Sequence, residues 1–268
     1  MELDAFRQWT TQLAENLRRD PRVIGLGLLG SAADIGRRTP DTWSDHDFFV
    51  ITQPGVQEDF RQTLDWLPDA GQIVLRPRET DHGLKVLFAD GHMIEFAVFD
   101  FEEMRRYARV NDYRVEFEPE DGCISAALRE MAAREAAPAP FDRDREIALM
   151  LSLLVIGCAR VARGEVLSGS RFVKDFALSG FLRLLAHEIT PTAGGLPDNL
   201  DPFRRVERCY PQIAPQLHAA LLLPPLDAAA ALLDLAAQTF ADLPAAALAT
   251  VRGEIARAAG SQRVNIDP

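Results

Sequence analysis

A chain of 268 residues holds one large domain or two of ordinary size, and 47% hydrophobic with 26% charged residues is an ordinary globular balance. Its net charge of −11 argues against a nucleic-acid backbone as main partner, which needs a basic footprint; the surplus acid suits a cationic small molecule or serves only solubility. Cys123, Cys158 and Cys209 lie far apart and form neither a CxxC pair nor a disulfide framework.

Residues 1–20 are amphipathic and mixed in charge, unlike a secretion signal. The longest apolar stretch, 147–159, is too short to span a bilayer, so a cytoplasmic protein without membrane association is expected. Only two of the 29 basic residues are lysines, Lys85 and Lys174. Where Arg serves almost everywhere, each remaining Lys is informative.

In chain order, residues 3–19 predict a helix, because Phe6, Trp9, Leu13 and Leu17 recur at helical spacing, and Asp20-Pro21 ends it. Residues 23–29 and 47–52 predict strands, 57–67 a helix and 72–76 a third strand. Strands at 84–89 and 92–99 flank Asp90-Gly91, a two-residue turn suited to a tight hairpin. The composition changes after Glu130. Residues 132–140 read as a connector, and beyond it 143–163, 171–188, 203–210 and Ala/Leu-rich runs punctuated by prolines read as helices. The expected fold class is α+β, with a mixed β-sheet flanked by helices at 1–130 and an all-α helical bundle at 131–268. The runs after Leu221 read as core or as the contact of a homodimer.

Asp45 and Asp47 stand two apart at the head of a strand, so they project to one side. Carboxylates this close repel, more so beside Phe48 and Phe49. Mg²⁺, which binds one or two carboxylates together with substrate phosphates, relieves the conflict; a polar loop with both acids solvated is the alternative. Gly30-Ser31 follows a strand and opens a short helix, where free backbone N–H groups favour an anion. Glu95 is the only charged residue between His92 and Phe99. A lone acid in a buried strand calls for a metal or for a salt bridge to an Arg. Two strand-borne Asp and one strand-borne Glu meet the needs of two-metal phosphoryl chemistry. His46 lies between the Asp residues but on the opposite face, which suits packing or a backbone hydrogen bond. His82 and His92 flank the hairpin without metal-ligand spacing.

Through GLLGS, SDHDFFV and IEFAVFD, in that order, the chain resembles the DNA-polymerase-β-like nucleotidyltransferase superfamily, in particular its small antibiotic nucleotidyltransferases of the lincosamide type. ARGEVLSGSRFVKDFALSGFLRLL and DPFRRVERCYP extend the likeness into the helical half. The resemblance implies that Gly30 and Ser31 hold the nucleotide phosphates and that Asp45 and Asp47 bind two Mg²⁺. Glu95 then serves as third metal ligand or general base, with Glu165 second in rank as base. It implies transfer of a nucleoside monophosphate, AMP from ATP first among the NTPs, to a hydroxyl of a small, cationic acceptor such as a lincosamide or an aminoglycoside. The helical half then shapes the acceptor pocket. Arg171 and Lys174, three apart on one helix face, are expected to reach the β- or γ-phosphate, since a compact ammonium suits a single phosphate. Thirteen residues separate Ser31 from Asp45, a few more than is usual in the family, and bring in Arg37 and Arg38, which either reach the triphosphate or, the preferred reading, sit in solvent. Two other readings remain: a non-catalytic nucleotidyltransferase-like toxin–antitoxin component, and an enzyme that adenylylates a protein.

Overall fold

The computed structural model describes residues 1–34, 39–136, 140–193, 195, 197–198 and 201–264, with side chains described to residue 261. The chain opens with α1 (Leu3–Arg18), whose Phe6, Trp9, Leu13 and Leu17 are buried at the expected spacing. There follow β1 (Val23–Leu29), β2 (His46–Thr52), α2 (Gln57–Gln62), β3 (Ile73–Leu75), β4 (Gly83–Phe88) and β5 (Met93–Asp100). Helix α2 stops at Gln62, short of 67, where Thr63 turns to extended backbone and its hydroxyl donates to the Asp59 carbonyl at 2.7 Å. Then come α3 (Phe101–Tyr107), β6 (Tyr113–Phe117) and α4 (Cys123–Ala136), none of which stands out in the sequence.

The strands form one mixed sheet in the order β3-β4-β5-β2-β1-β6. β2 and β5 run parallel, and every other neighbouring pair is antiparallel. Strand side chains alternate between faces. One face sends Leu28, Phe48, Val86 and Ile94 into a core with Trp9 and Leu13 of α1. The other sends Phe49 and Ile51 against Met104 of α3 and Ile124 and Leu128 of α4. The β4–β5 turn takes three residues, 89–91, where two were expected: Phe88 N donates to His92 O at 2.9 Å and Gly91 N to Phe88 O at 3.0 Å.

The chain divides into two compact units, Met1–Pro138 and Ala139–Pro268. The division falls beyond 130 because alanine-rich α4, built of good helix formers, runs through Glu130. The second unit is helical, as expected. It comprises α5 (Arg143–Ala162), α6 (Val166–Arg171), α7 (Leu178–Glu188), α8 (Val206–Cys209), α9 (Ala214–Leu222), α10 (Pro225–Thr239) and α11 (Ala245–Val264). A π-helical turn, Phe172–Ala177, interrupts the single helix expected over 171–188. Helix α5 is the spine of this unit. Its Met150, Leu154 and Cys158 pack with Phe181 and Leu185 of α7 and Leu232 of α10, and each large side chain so buried contributes about 1.5–3 kcal/mol. Among the described residues no helix is long and apolar enough to cross a membrane.

Candidate active site

In the N-terminal unit the residues expected to carry chemistry gather on one face of the sheet. Asp47 lies in register with Leu29 of antiparallel β1 and with Glu95 of parallel β5, and Glu95 in turn with Lys85 of β4. Residues in register project together from strands about 4.8 Å apart. Lys85, Glu95 and Asp47 therefore form a row across three neighbouring strands. Asp45 sits just before β2, and both Asp residues are half-buried.

Gly30 closes the row at the end of β1. Its φ of +53° is left-handed, and it begins a 3₁₀ turn, Gly30–Ala33. A Cβ placed on it would lie 3.3 Å from Asp47 Oδ2, so glycine lets this turn close on the carboxylate. The Gly30 amide, expected to be free for an anion, instead donates to the Asp112 carbonyl at 3.1 Å. The amides of Ser31 and Ala32 follow at the start of the turn, where N–H groups have no partner inside it. Arg37 and Arg38 lie outside the described residues.

Glu95 does not stand alone in its strand. Lys85 Nζ lies 3.0 Å from Glu95 Oε1 and 3.0 Å from Glu79 Oε1, so the salt bridge left open by the sequence is made, to Lys rather than Arg. The hydrogen bonds that the Lys85 ammonium donates to Glu79 first and Glu95 second hold it above its ordinary pKa. Among the described residues no group of three or more His, Cys, Asp or Glu side chains is gathered closely enough to hold a metal ion. Asp45 and Asp47 are the carboxylate type that Mg²⁺ takes, one or two at a time, alongside phosphate oxygens, and Glu95 is paired with an ammonium.

Behind the row, His46 faces the other way and is fully buried. Its Nε2 lies 2.9 Å from Thr10 Oγ1 and 3.2 Å from the Phe6 carbonyl, its Nδ1 lies 2.7 Å from His92 Nε2, and its ring stacks on Phe6 at 3.5 Å. The Thr10 hydroxyl itself donates to Phe6 O at 3.0 Å. Thr10 therefore accepts from His46 Nε2–H, and His46 Nδ1 accepts from His92 Nε2–H. Burial, then the neighbouring His92, lowers the His46 pKa to about 3, and burial lowers that of His92 as well. Both rings are neutral struts that tie the Asp-His-Asp segment to α1 and to the start of β5.

The second unit receives its expected residues differently. Lys174 Nζ donates to the carbonyls of Leu221 at 2.8 Å and Leu223 at 2.5 Å, capping the C-terminal end of α9. The ammonium, expected at a phosphate, is thus held at a helix end of its own unit. Arg171 pairs with Asp175 at 3.6 Å and lies over the Phe176 ring at 4.9 Å. Glu165 accepts from Arg160 Nη1 at 2.6 Å, which lowers its pKa and makes it a weaker base than an ordinary glutamate.

Two features escaped the sequence reading. Lys85 is placed on Glu95 only by the hairpin register, which no local pattern announces. Trp43 is 93% exposed two residues before Asp45. It sits on a turn in which its amide donates to Asp41 Oδ1 at 2.8 Å and the Asp41 amide donates to Ser44 Oγ at 2.9 Å. The signal for it is a lone indole among Pro, Asp, Thr and Ser. A cavity of about 1100 Å³ opens elsewhere in this unit, lined by Arg61, Arg78, His82, Glu103, Arg106 and Tyr107 among others; none of Gly30, Ser31, Asp45, Asp47 or Glu95 lines it.

No protein-family model and no curated protein sequence matches the chain. Among the solved structures similar to it, two are the following, both at low identity. An aminoglycoside 6-adenyltransferase from Bacillus subtilis is 12% identical with a TM-score of 0.34, the match covering 98% of this chain and 99% of that one. A nucleotidyltransferase-like protein from Exiguobacterium sibiricum is 14% identical with a TM-score of 0.36, covering 97% of this chain and 80% of that one. Likenesses this loose assign no residue a role.

Proposed function

We propose that this chain is a nucleotidyltransferase that moves a nucleoside monophosphate, AMP from ATP first among the NTPs, onto a hydroxyl of a small molecule. The observation that carries this reading is the register of Asp47 and Glu95 on adjacent parallel strands, with the left-handed Gly30 turn packed against the Asp47 carboxylate. The resemblance of GLLGS, SDHDFFV and IEFAVFD to that superfamily's motifs supports it. The net charge of −11 favours a cationic acceptor, such as an aminoglycoside or a lincosamide, by raising its local concentration.

Asp45 and Asp47 would hold Mg²⁺ together with the triphosphate. When bound, Mg²⁺ supplies charge neutralisation at the phosphates and a more acidic acceptor hydroxyl. Gly30 lets the backbone approach the phosphates, and the Ser31 hydroxyl offers them a hydrogen bond. The acceptor oxygen forms its bond to the α-phosphorus as the bond to the bridging oxygen of the β-phosphate breaks. Pyrophosphate leaves, and the hydroxyl proton passes to Glu95. What the chain contributes is positioning and electrostatics rather than covalent catalysis.

The experiment is a pyrophosphate-release screen with ATP and Mg²⁺ over aminoglycosides, lincosamides and unrelated hydroxylated metabolites, comparing the wild type with Asp47→Asn. Release with one acceptor class, lowered about a hundredfold or more by the substitution, is expected. Undiminished release in Asp47→Asn, or no binding of nucleotide by calorimetry, overturns the reading.

A further inference from the structure

Of the three tryptophans, Trp43 has no place in a core. Trp9 is 4% exposed and meets the His46 ring at 4.5 Å, and Trp66 meets the Phe96 ring at 5.2 Å, whereas Trp43 is 93% exposed. A single apolar side chain in solvent is ordinary on a protein surface. What sets this one apart is the backbone beneath it. Trp43 N donates to Asp41 Oδ1 at 2.8 Å, Asp41 N to Ser44 Oγ at 2.9 Å, Ser44 N to the Asp41 carbonyl at 3.1 Å, and the Met1 ammonium to the Thr42 carbonyl at 3.1 Å. An indole has only two rotatable side-chain bonds, so on a backbone held this way it loses little conformational freedom when it meets a ligand.

Its place in the chain and the charge around it say what that ligand is. Consecutive Cα atoms lie about 3.8 Å apart, so the Trp43 and Asp45 Cα atoms are within about 7.6 Å of each other. The segment 41–47 carries three carboxylates and, with His46 neutral and buried, no cation of its own. Such a field draws a cation, and the face of an indole is the best aromatic surface for one. We propose that Trp43 is a specificity-determining residue for the acceptor, its indole face receiving an ammonium group of a small hydroxylated amine beside the head of β2. This rests on the nucleotidyltransferase reading of that site. A neutral molecule of the same shape is then a poor acceptor. Two accounts compete. In one the field alone attracts the amine and the ring is idle; in the other the indole stacks on the nucleobase, as any flat π-system can.

The test is calorimetric titration of the full chain, without nucleotide, for the wild type, Trp43→Phe and Trp43→Leu. The probes are kanamycin, a hydroxylated polyamine, and its fully N-acetylated form, which keeps the hydroxyls and loses the charge. Mg²⁺–ATP is titrated in parallel, also into Asp47→Asn. Neither Trp43 substitution changes the net charge, so attraction by the field alone leaves the three proteins equal. Trp43→Leu is expected to bind kanamycin about two- to fivefold more weakly than the wild type, with Trp43→Phe between them. Acetylated kanamycin and Mg²⁺–ATP are expected not to distinguish the three. Urea unfolding is expected to coincide for all three, since the side chain buries little. Equal kanamycin affinity in wild type and Trp43→Leu, or no binding to the wild type, overturns the proposal. So does a loss that acetylated kanamycin shares, which marks apolar contact, or one that falls on Mg²⁺–ATP instead, which marks the nucleobase. In each case impaired Mg²⁺–ATP binding by Asp47→Asn leaves the nucleotidyltransferase reading standing, and undiminished binding by that variant overturns it separately.

Discussion

His46 makes the stability of the N-terminal unit depend on pH in a calculable way. Its pKa is about 3 in the folded chain against an ordinary 6.5, chiefly because the ring is buried, and the unfolded chain therefore takes up the proton first as pH falls. The stability carried by this neutral ring is complete above pH 6.5 and is lost progressively toward pH 3. The slope is about 1.4 kcal/mol per pH unit, so two units below the ordinary value the loss is about 3 kcal/mol, with a further loss of the same sign from His92. The comparison is wild type against His46→Gln, whose amide can still donate to Thr10 and accept from His92. All three tryptophans, Trp9, Trp43 and Trp66, lie in this unit, so urea unfolding followed by their fluorescence, with chelator present, reads its transition. His46→Gln is expected to start less stable at pH 7 and to lose about 3 kcal/mol less than the wild type on going to about pH 4.5. Carboxylates that titrate in this range are common to both proteins and cancel. Identical pH dependence in the two refutes the assignment of a neutral, buried His46.

Gly30→Ala must hold a side chain at φ +53° and 3.3 Å from Asp47 Oδ2. A loss of about 1–2 kcal/mol in urea unfolding is expected, together with weaker Mn²⁺–ATP binding by calorimetry; unchanged values in both refute the close approach. Lys174→Ala removes two charge-assisted hydrogen bonds at the end of α9 and is expected to cost the second unit about 1.5–3 kcal/mol, seen as faster amide exchange in α9, with ATP binding unaltered. Weakened ATP binding with α9 protected would restore the phosphate role and refute the cap.

What was legible followed local periodicity. Phe6, Trp9, Leu13 and Leu17 mark α1 because a helix repeats every 3.6 residues, and the opposed directions of Asp47 and His46 follow from the strand period of two. The mixed sheet with a helical second half was equally readable, since composition changes where the architecture does. β6 was not, although Tyr113, Val115 and Phe117 alternate with charged residues. It is short, its neighbour β1 lies far back in the chain, and nothing local reports that pairing. Lys174 was ambiguous for a different reason. A cation on a helix face suits a phosphate and a helix C-terminus equally well, and only the position of α9 distinguishes them.

The register of the β4–β5 hairpin shows most clearly where local reading stops. Had Asp90-Gly91 made a two-residue turn, residue 89 would pair with 92, and Lys85 would then fall opposite Phe96, whose side chain belongs to the buried face shared with α1. The actual turn takes in Ala89, moves the pairing by one, and brings Lys85 opposite Glu95. A slip of one residue exchanges the two faces of a strand, so the difference is between a lysine driven toward a core and a lysine beside the third carboxylate. The core decides it. Leu84, Val86 and Phe88 are buried alternately along β4, as are Ile94, Phe96 and Val98 along β5, and only the longer turn places both sets on one side. Burying those six side chains outweighs any preference of an Asp-Gly pair for the tighter turn. The electrostatics of the candidate active site are thus set by packing on the opposite face of the sheet.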